Sequence, residues 1–124
     1  MSQSCNCNAA PKLIFSCSGA ADVGEIADRC ARQLTREGVG KMYCLAGIGG
    51  GIPAILDNTE SARAILAIDG CPSACASMTL KKAGFSGFAR VQLAEIGLTK
   101  GSSPASAENI ERVAAEARKF LQTI

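Results

Sequence analysis

Arg63 to Cys75 reads RAILAIDGCPSAC, and the fold class turns on these residues. Arg63 to Asp69 is almost continuously apolar, without the alternation of a half-wet strand, as expected of a strand covered on both faces of a parallel sheet. Gly70 breaks the run. Cys71-Pro72 then predicts a helix entry, with Cys71 at or near the cap and Pro72 at the first helical position, and a helix to about Ala83. A buried strand passing directly into a helix is half of a βαβ unit.

The same pattern repeats upstream. Lys12 to Cys17 (KLIFSC) is a second short apolar run, stopped by Ser18-Gly19. From Asp22 the apolar residues Val23, Ile26, Ala27, Cys30 and Leu34 fall at helical spacing. Asp22 stands as a candidate cap, Glu25 holds the capping-box position, and Gly38 is a natural stop. Lys41 to Ala46 predicts a strand ending in Gly47-Ile48-Gly49-Gly50-Gly51, and Pro53 opens a short helix through Asp57. Ala89 to Glu95 alternates as an edge strand does. After Ser103-Pro104 and Ser106, a last helix carries Ile110, Val113, Ala114, Ala117, Leu121 and Ile124 on one stripe. The order βαβαβαβα predicts an α/β three-layer sandwich, a four-stranded parallel sheet in the flavodoxin-like order 2-1-3-4 with helices on both faces. Residues 1–11 are polar and aperiodic and are expected to form a tail, leaving 12–124 as a single domain.

The 124 residues suffice for one core, and 48% hydrophobic against 19% charged residues supports it. A net charge of +2 and aromatic content of 4% argue against a nucleic-acid partner. Without an apolar stretch approaching 18 residues no membrane span is expected. There is no histidine, which removes the usual general base and every imidazole ligand. A metal ion here has to be held by thiolate, carboxylate or backbone oxygen.

Seven cysteines, at 5, 7, 17, 30, 44, 71 and 75, are the unusual feature. No secretory signal opens the chain, so a cytoplasmic, reducing location is expected, where clustered cysteines more often bind metal or do thiol chemistry than form disulfides. In a doubly wound sheet ligands sit outside the carboxyl ends of the strands. Cys17 closes the first strand, Cys44 lies near the end of the second, and Cys71 follows the third. Cys75 would lie one helical turn beyond Cys71. Four sulfurs suit the tetrahedral shell of structural zinc. Cys30 reads as a core residue, and the tail pair Cys5 and Cys7 as inert. A thiol at a helix start, as expected of Cys71, should have a lowered pKa. Asp69 reads as an outer acceptor, a ligand or a strand terminator, and Gly70 as a turn that faces Cys71 into the crevice.

Cys17-Ser18-Gly19, Cys44, Asp69-Gly70-Cys71 and Cys75 together resemble the DGC-domain family, named for its Asp-Gly-Cys motif. The family carries four candidate zinc-chelating cysteines and has no established biochemical role. The resemblance extends over nearly the whole chain after residue 11. It implies zinc as cofactor on Cys17, Cys44, Cys71 and Cys75, with Asp69, Gly70 and Ser18 around them and a metal ion as partner. It assigns nothing to Cys5 and Cys7.

The alternative is a thiol redox enzyme or sulfur carrier with Cys71 as nucleophile and Cys75 or Cys17 as resolving partner. A phosphate cradle at Gly47 to Gly51 is a weaker reading, since it follows the second strand and lacks both the Walker ending and the third glycine of a dinucleotide fingerprint. Val23 stands where a cysteine phosphatase needs its arginine, and Cys71-x-x-x-Cys75 is one residue too long for a thioredoxin-type pair.

Overall fold

The computed structural model describes residues 10–123, so Cys5, Cys7, most of the expected tail and Ile124 lie outside it. The elements in chain order are β1 (Lys12–Ser16), α1 (Asp22–Glu37), β2 (Lys41–Met42), α2 (Leu45–Gly49), α3 (Pro53–Glu60), β3 (Ala64–Asp69), α4 (Cys75–Lys82), β4 (Ala89–Gln92), a single 3-10 turn (Leu93–Ile96) and α5 (Ala107–Thr123). The four strands pair in parallel in the order β2-β1-β3-β4, the topology expected from the two central apolar runs.

Strand alternation divides the core in two. Ile14, Leu66 and Ile68 face the long helices α1 and α5, meeting Ile26, Leu34, Val113 and Leu121. Leu13, Phe15 and Ala67 face the other way, onto Ile48 of α2 and Ala76 and Leu80 of α4. Because β1 and β3 are covered on both faces, their side chains reach complete burial, as at Ile14, Phe15, Leu66 and Ile68. Each such side chain contributes about 1.5–3 kcal/mol. Cys30 is fully buried on the α1 stripe, the core role expected of it.

Several short elements differ from expectation, each because of a tertiary contact. β2 ends at Met42 instead of Ala46: it is an edge strand, only Tyr43 N–H to Ile14 carbonyl (2.9 Å) extends its ladder, and the chain then turns into α2. The glycine run is partly helical. Gly47 packs directly against Ile55, where an added Cβ would stand 2.1 Å from its Cδ1 and force that side chain to shift. β4 stops at Gln92, opposite Asp69, because β3 ends there and offers no further partner. α3 extends three residues past Asp57.

Asp22 and Glu25 form no capping box. Ala21 is the N-cap, and the Asp22 carboxylate accepts from Val23 N–H (2.8 Å), Gly101 N–H (3.0 Å) and Ser103 N–H (3.1 Å). It therefore fastens the loop before α5 to the start of α1, and the bond from Gly101, followed by that from Ser103, lowers its pKa. Gly38, at φ 80°, closes α1 as expected.

At the other end of these two helices Arg118 grips Glu37 through two parallel bonds of 2.8 Å and reaches Glu111 at 2.6 Å. The Arg118 bond, then that from Gln33, pulls the Glu37 pKa down to about 2. A carboxylate with a depressed folded pKa contributes stability above its unfolded value and loses it as pH falls toward the folded one. The Glu37→Gln variant should therefore lose about 1 kcal/mol or less at neutral pH. Its midpoint should also fall less steeply than wild type between pH 4.5 and about 2. Thermal melts across that window check it, and parallel acid limbs would contradict the clasp.

Candidate functional site

The parallel sheet brings the ends of β1, β2 and β3 to one rim. Cys17 directly follows β1, its N–H donating to the Ile68 carbonyl at 3.1 Å, while its Sγ accepts from Gly70 N–H at 3.3 Å. Cys44 caps α2, its Sγ accepting from Gly47 N–H at 3.3 Å. Cys71 is half-buried, and its carbonyl accepts from Gln92 Nε2 at 3.0 Å. Cys75 is exposed, as the first residue of α4.

Cys17 and Cys44 share the wall of an open cleft of about 790 Å³, with Asp28, Arg32, Tyr43 and Thr79 around them. Cys71 and Cys75 do not line that cleft; Cys71 instead packs, with Cys17, against the α1/α5 core. Among the described residues no three cysteine, aspartate or glutamate side chains are gathered closely enough to hold a metal ion. Cys17 and Cys44 thus share one cleft wall, and Cys71 and Cys75 lie outside it.

α4 begins three residues later than expected. Cys71 to Ala74 form a turn closed by Ala74 N–H to the Cys71 carbonyl (3.0 Å), and Ala74 takes a left-handed conformation, φ 55°. Pro72 is therefore not the first helical residue, and Cys71 does not sit at a helix start or one turn before Cys75. The helix start is set by Asp69. Its buried carboxylate accepts from Ala76 N–H (2.9 Å), Ser77 N–H (3.3 Å), Ser77 Oγ–H (2.5 Å) and Arg90 Nε–H (3.2 Å). A carboxylate has about four lone-pair sites, and all are taken, so Asp69 acts as the anchor of α4 and has nothing left for a ligand.

Gly70 has a reason other than turning. An added Cβ would stand 2.8 Å from the Val23 backbone, and one on Gly24 would stand 2.5 Å from the Gly19 carbonyl oxygen. Gly19, Gly24 and Gly70 are the close approach of the loop after β1, the first turn of α1 and the end of β3. Ser18, at φ 48°, turns its hydroxyl to Ser16 Oγ (2.5 Å) and Asp28 (2.7 Å). Asp28 also accepts from Arg32 Nε at 2.7 Å; burial opposes its charge, but the bonds from Arg32 and Ser18 outweigh it and lower its pKa. Of these cleft residues, Asp28 and Arg32 were not singled out in the sequence. The i, i+4 Asp28/Arg32 pair on α1 was the available signal.

The thiols differ in acidity. A hydrogen bond from the Ser73 side chain, then one from its backbone, holds the Cys71 pKa below the usual thiol range. The cause is this local turn and not the end of a helix. Burial pushes Cys30 up to about 12.

A model of the DGC domain matches residues 13–117. The chain is 34% identical over 110 residues to the Pseudomonas aeruginosa protein named anaerobic and virulence modulator AnvM, covering 88% of this chain and 84% of that one. No solved structure matches.

Two outcomes are expected. Asp69→Ala leaves two α4 amides and Arg90 without their acceptor, at a cost of about 2–4 kcal/mol. Amide exchange at Ala76 and Ser77 should rise in that variant, and unchanged protection would contradict the anchor. In metal-free protein near neutral pH, iodoacetamide should modify Cys71 ahead of Cys30, with Cys30 untouched until the chain unfolds. Peptide mapping reads the order.

Proposed function

The chain belongs to the DGC-domain family, and from that premise we propose that its rim of thiols binds zinc through Cys17, Cys44, Cys71 and Cys75. The observation that carries this reading is the departure of Cys17, Cys44 and Cys71 from the carboxyl ends of three adjacent parallel strands. The donor set also fits. A chain without histidine, with a fully engaged Asp69, leaves thiolates as the available strong ligands, and zinc accepts four of them.

Closing the shell requires movement, since among the described residues no three such side chains are gathered closely enough to hold an ion. Cys44 and Cys75 are the exposed members, at the starts of α2 and α4, helices of five and eight residues. Bound zinc would supply electrostatic cross-linking of the rim; a closed four-thiolate shell has no open position for activating water, so storage, transfer or a structural role suits it better than hydrolysis. The relative is named as a modulator of anaerobic behaviour and virulence, which supports a modulating role here. Thiols kept reduced at such a rim suit a cytoplasmic location. No described helix is long and apolar enough to cross a membrane.

Cys71 gives a second reading its footing, being half-buried and bonded to Ser73. Its thiolate would attack a substrate disulfide, releasing one substrate thiolate; Cys17 or Cys75 would then displace the other, leaving an internal disulfide.

Elemental analysis of protein purified without an affinity-metal step separates them. We expect about one zinc per chain, four thiols alkylated only after a chelator is added, and loss of zinc in Cys44→Ser and Cys75→Ser. Because zinc-finger peptides gain about 10–16 kcal/mol from the metal, chelation should also lower the melting midpoint. No metal, with a single fast thiol at Cys71, would overturn zinc and favour the thiol enzyme.

A further inference from the structure

Among the described residues two that are not glycine take a positive φ, Ser18 and Ala74. Ser18 is held there by its hydroxyl, which bonds Ser16 and Asp28. Ala74, at φ 55° and ψ 48°, has no side-chain group to hold it, and a left-handed alanine carries a steric penalty that glycine escapes. It is the joint between the turn that carries Cys71 and the first residue of α4. Upstream of that joint the chain already has the makings of a helix start. Pro72 has its φ fixed near the helical value and no N–H to satisfy, which suits a first helical position. The Cys71 sulfur takes the Ser73 amide, the bond by which a cap residue satisfies the second helical N–H. Downstream, Met78 N–H already reaches the Ala74 carbonyl at 2.9 Å.

What opposes a continuous helix is Asp69, which takes the Ala76 and Ser77 amides. In a helix running from Pro72 those amides would pass to the Pro72 and Ser73 carbonyls, and the Cys75 amide would gain the Cys71 carbonyl, each four residues back. Asp69 would keep Ser77 Oγ–H and Arg90. Two bonds to a charged acceptor are thus exchanged for three to neutral carbonyls, while one strained residue relaxes. Bonds to a carboxylate are the stronger kind, so the turn prevails in the metal-free chain. We propose that Ala74 is a conformational switch: zinc binding turns it right-handed, extends α4 back to Pro72, and sets Cys71 and Cys75 one helical turn apart as neighbouring ligands. The switch rests on the zinc reading above and supplies part of the movement that reading requires. A ligand shifts an equilibrium only by its preference for one state, and two thiolates at i and i+4 give zinc that preference.

Zinc titration of the wild-type chain and of Ala74→Gly tests the switch, since glycine favours the left-handed turn and disfavours the helix. Competition with a chromogenic chelator should show Ala74→Gly binding zinc about tenfold more weakly. The melting midpoint of the metal-free variant should be unchanged or raised, whereas loss of a residue needed only for packing would lower it. Among the described residues the Cys75 amide has no hydrogen-bond acceptor in the metal-free chain. Hydrogen exchange should show that amide becoming protected when zinc binds the wild type. Four-thiol zinc binding with equal affinities in the two chains, or with the Cys75 amide still unprotected, would overturn the switch and leave the zinc reading standing. A wild-type chain that takes up no zinc would overturn both.

Discussion

One buried carboxylate organises the functional end of this molecule. Asp69 ends β3, and its two oxygens take two amides and a hydroxyl from the first turn of α4 together with the guanidinium of Arg90 on β4. Burying a charge is costly unless it is fully partnered, and here every lone-pair site has a donor. That one group fixes where α4 begins, hence where Cys75 stands. It also sets the length of the turn that carries Cys71. Gln92, the last residue of β4, secures the same turn from the other side through the Cys71 carbonyl. Asp-Gly-Cys is therefore three consecutive residues with three separate tasks: Asp69 anchors a helix, Gly70 admits the backbone of α1, and Cys71 presents a thiol.

The parallel sheet supplies the rest. Because all four strands run the same way, whatever follows them collects at one edge, and the chain places a cysteine after three of the four. Cys17 has neighbours on both sides: it shares the cleft with Cys44, it accepts from the amide of Gly70, and it packs with Cys71 against the α1/α5 core. On the proposed zinc reading, Cys44 and Cys75 would have to close toward it.

What the sequence made readable is what burial dictates. The apolar runs of β1 and β3, and the stripes of α1 and α5, depend on periodicity, and the strand order followed from which runs were most continuous. The short elements depend on single contacts between distant residues. Nothing in Cys71-Pro72 reveals that the helix waits until Cys75, because the deciding group is the reach of Asp69. Gly70 looked like a turn, and only the proximity of Val23 shows it to be a close approach. Likewise Lys41 to Ala46 looked like a full strand, although an edge position and the cap at Cys44 end it after two residues. The thiols of the rim were legible individually; that Cys71 and Cys75 fall outside the cleft of Cys17 and Cys44 was not.

The central claim is that these separated thiols close on one ion. Zinc K-edge X-ray absorption on the loaded protein tests it most directly. The account predicts a first shell of four sulfur scatterers at the zinc–thiolate distance of about 2.3 Å. A shell dominated by oxygen or nitrogen, or holding only two sulfurs, would contradict it.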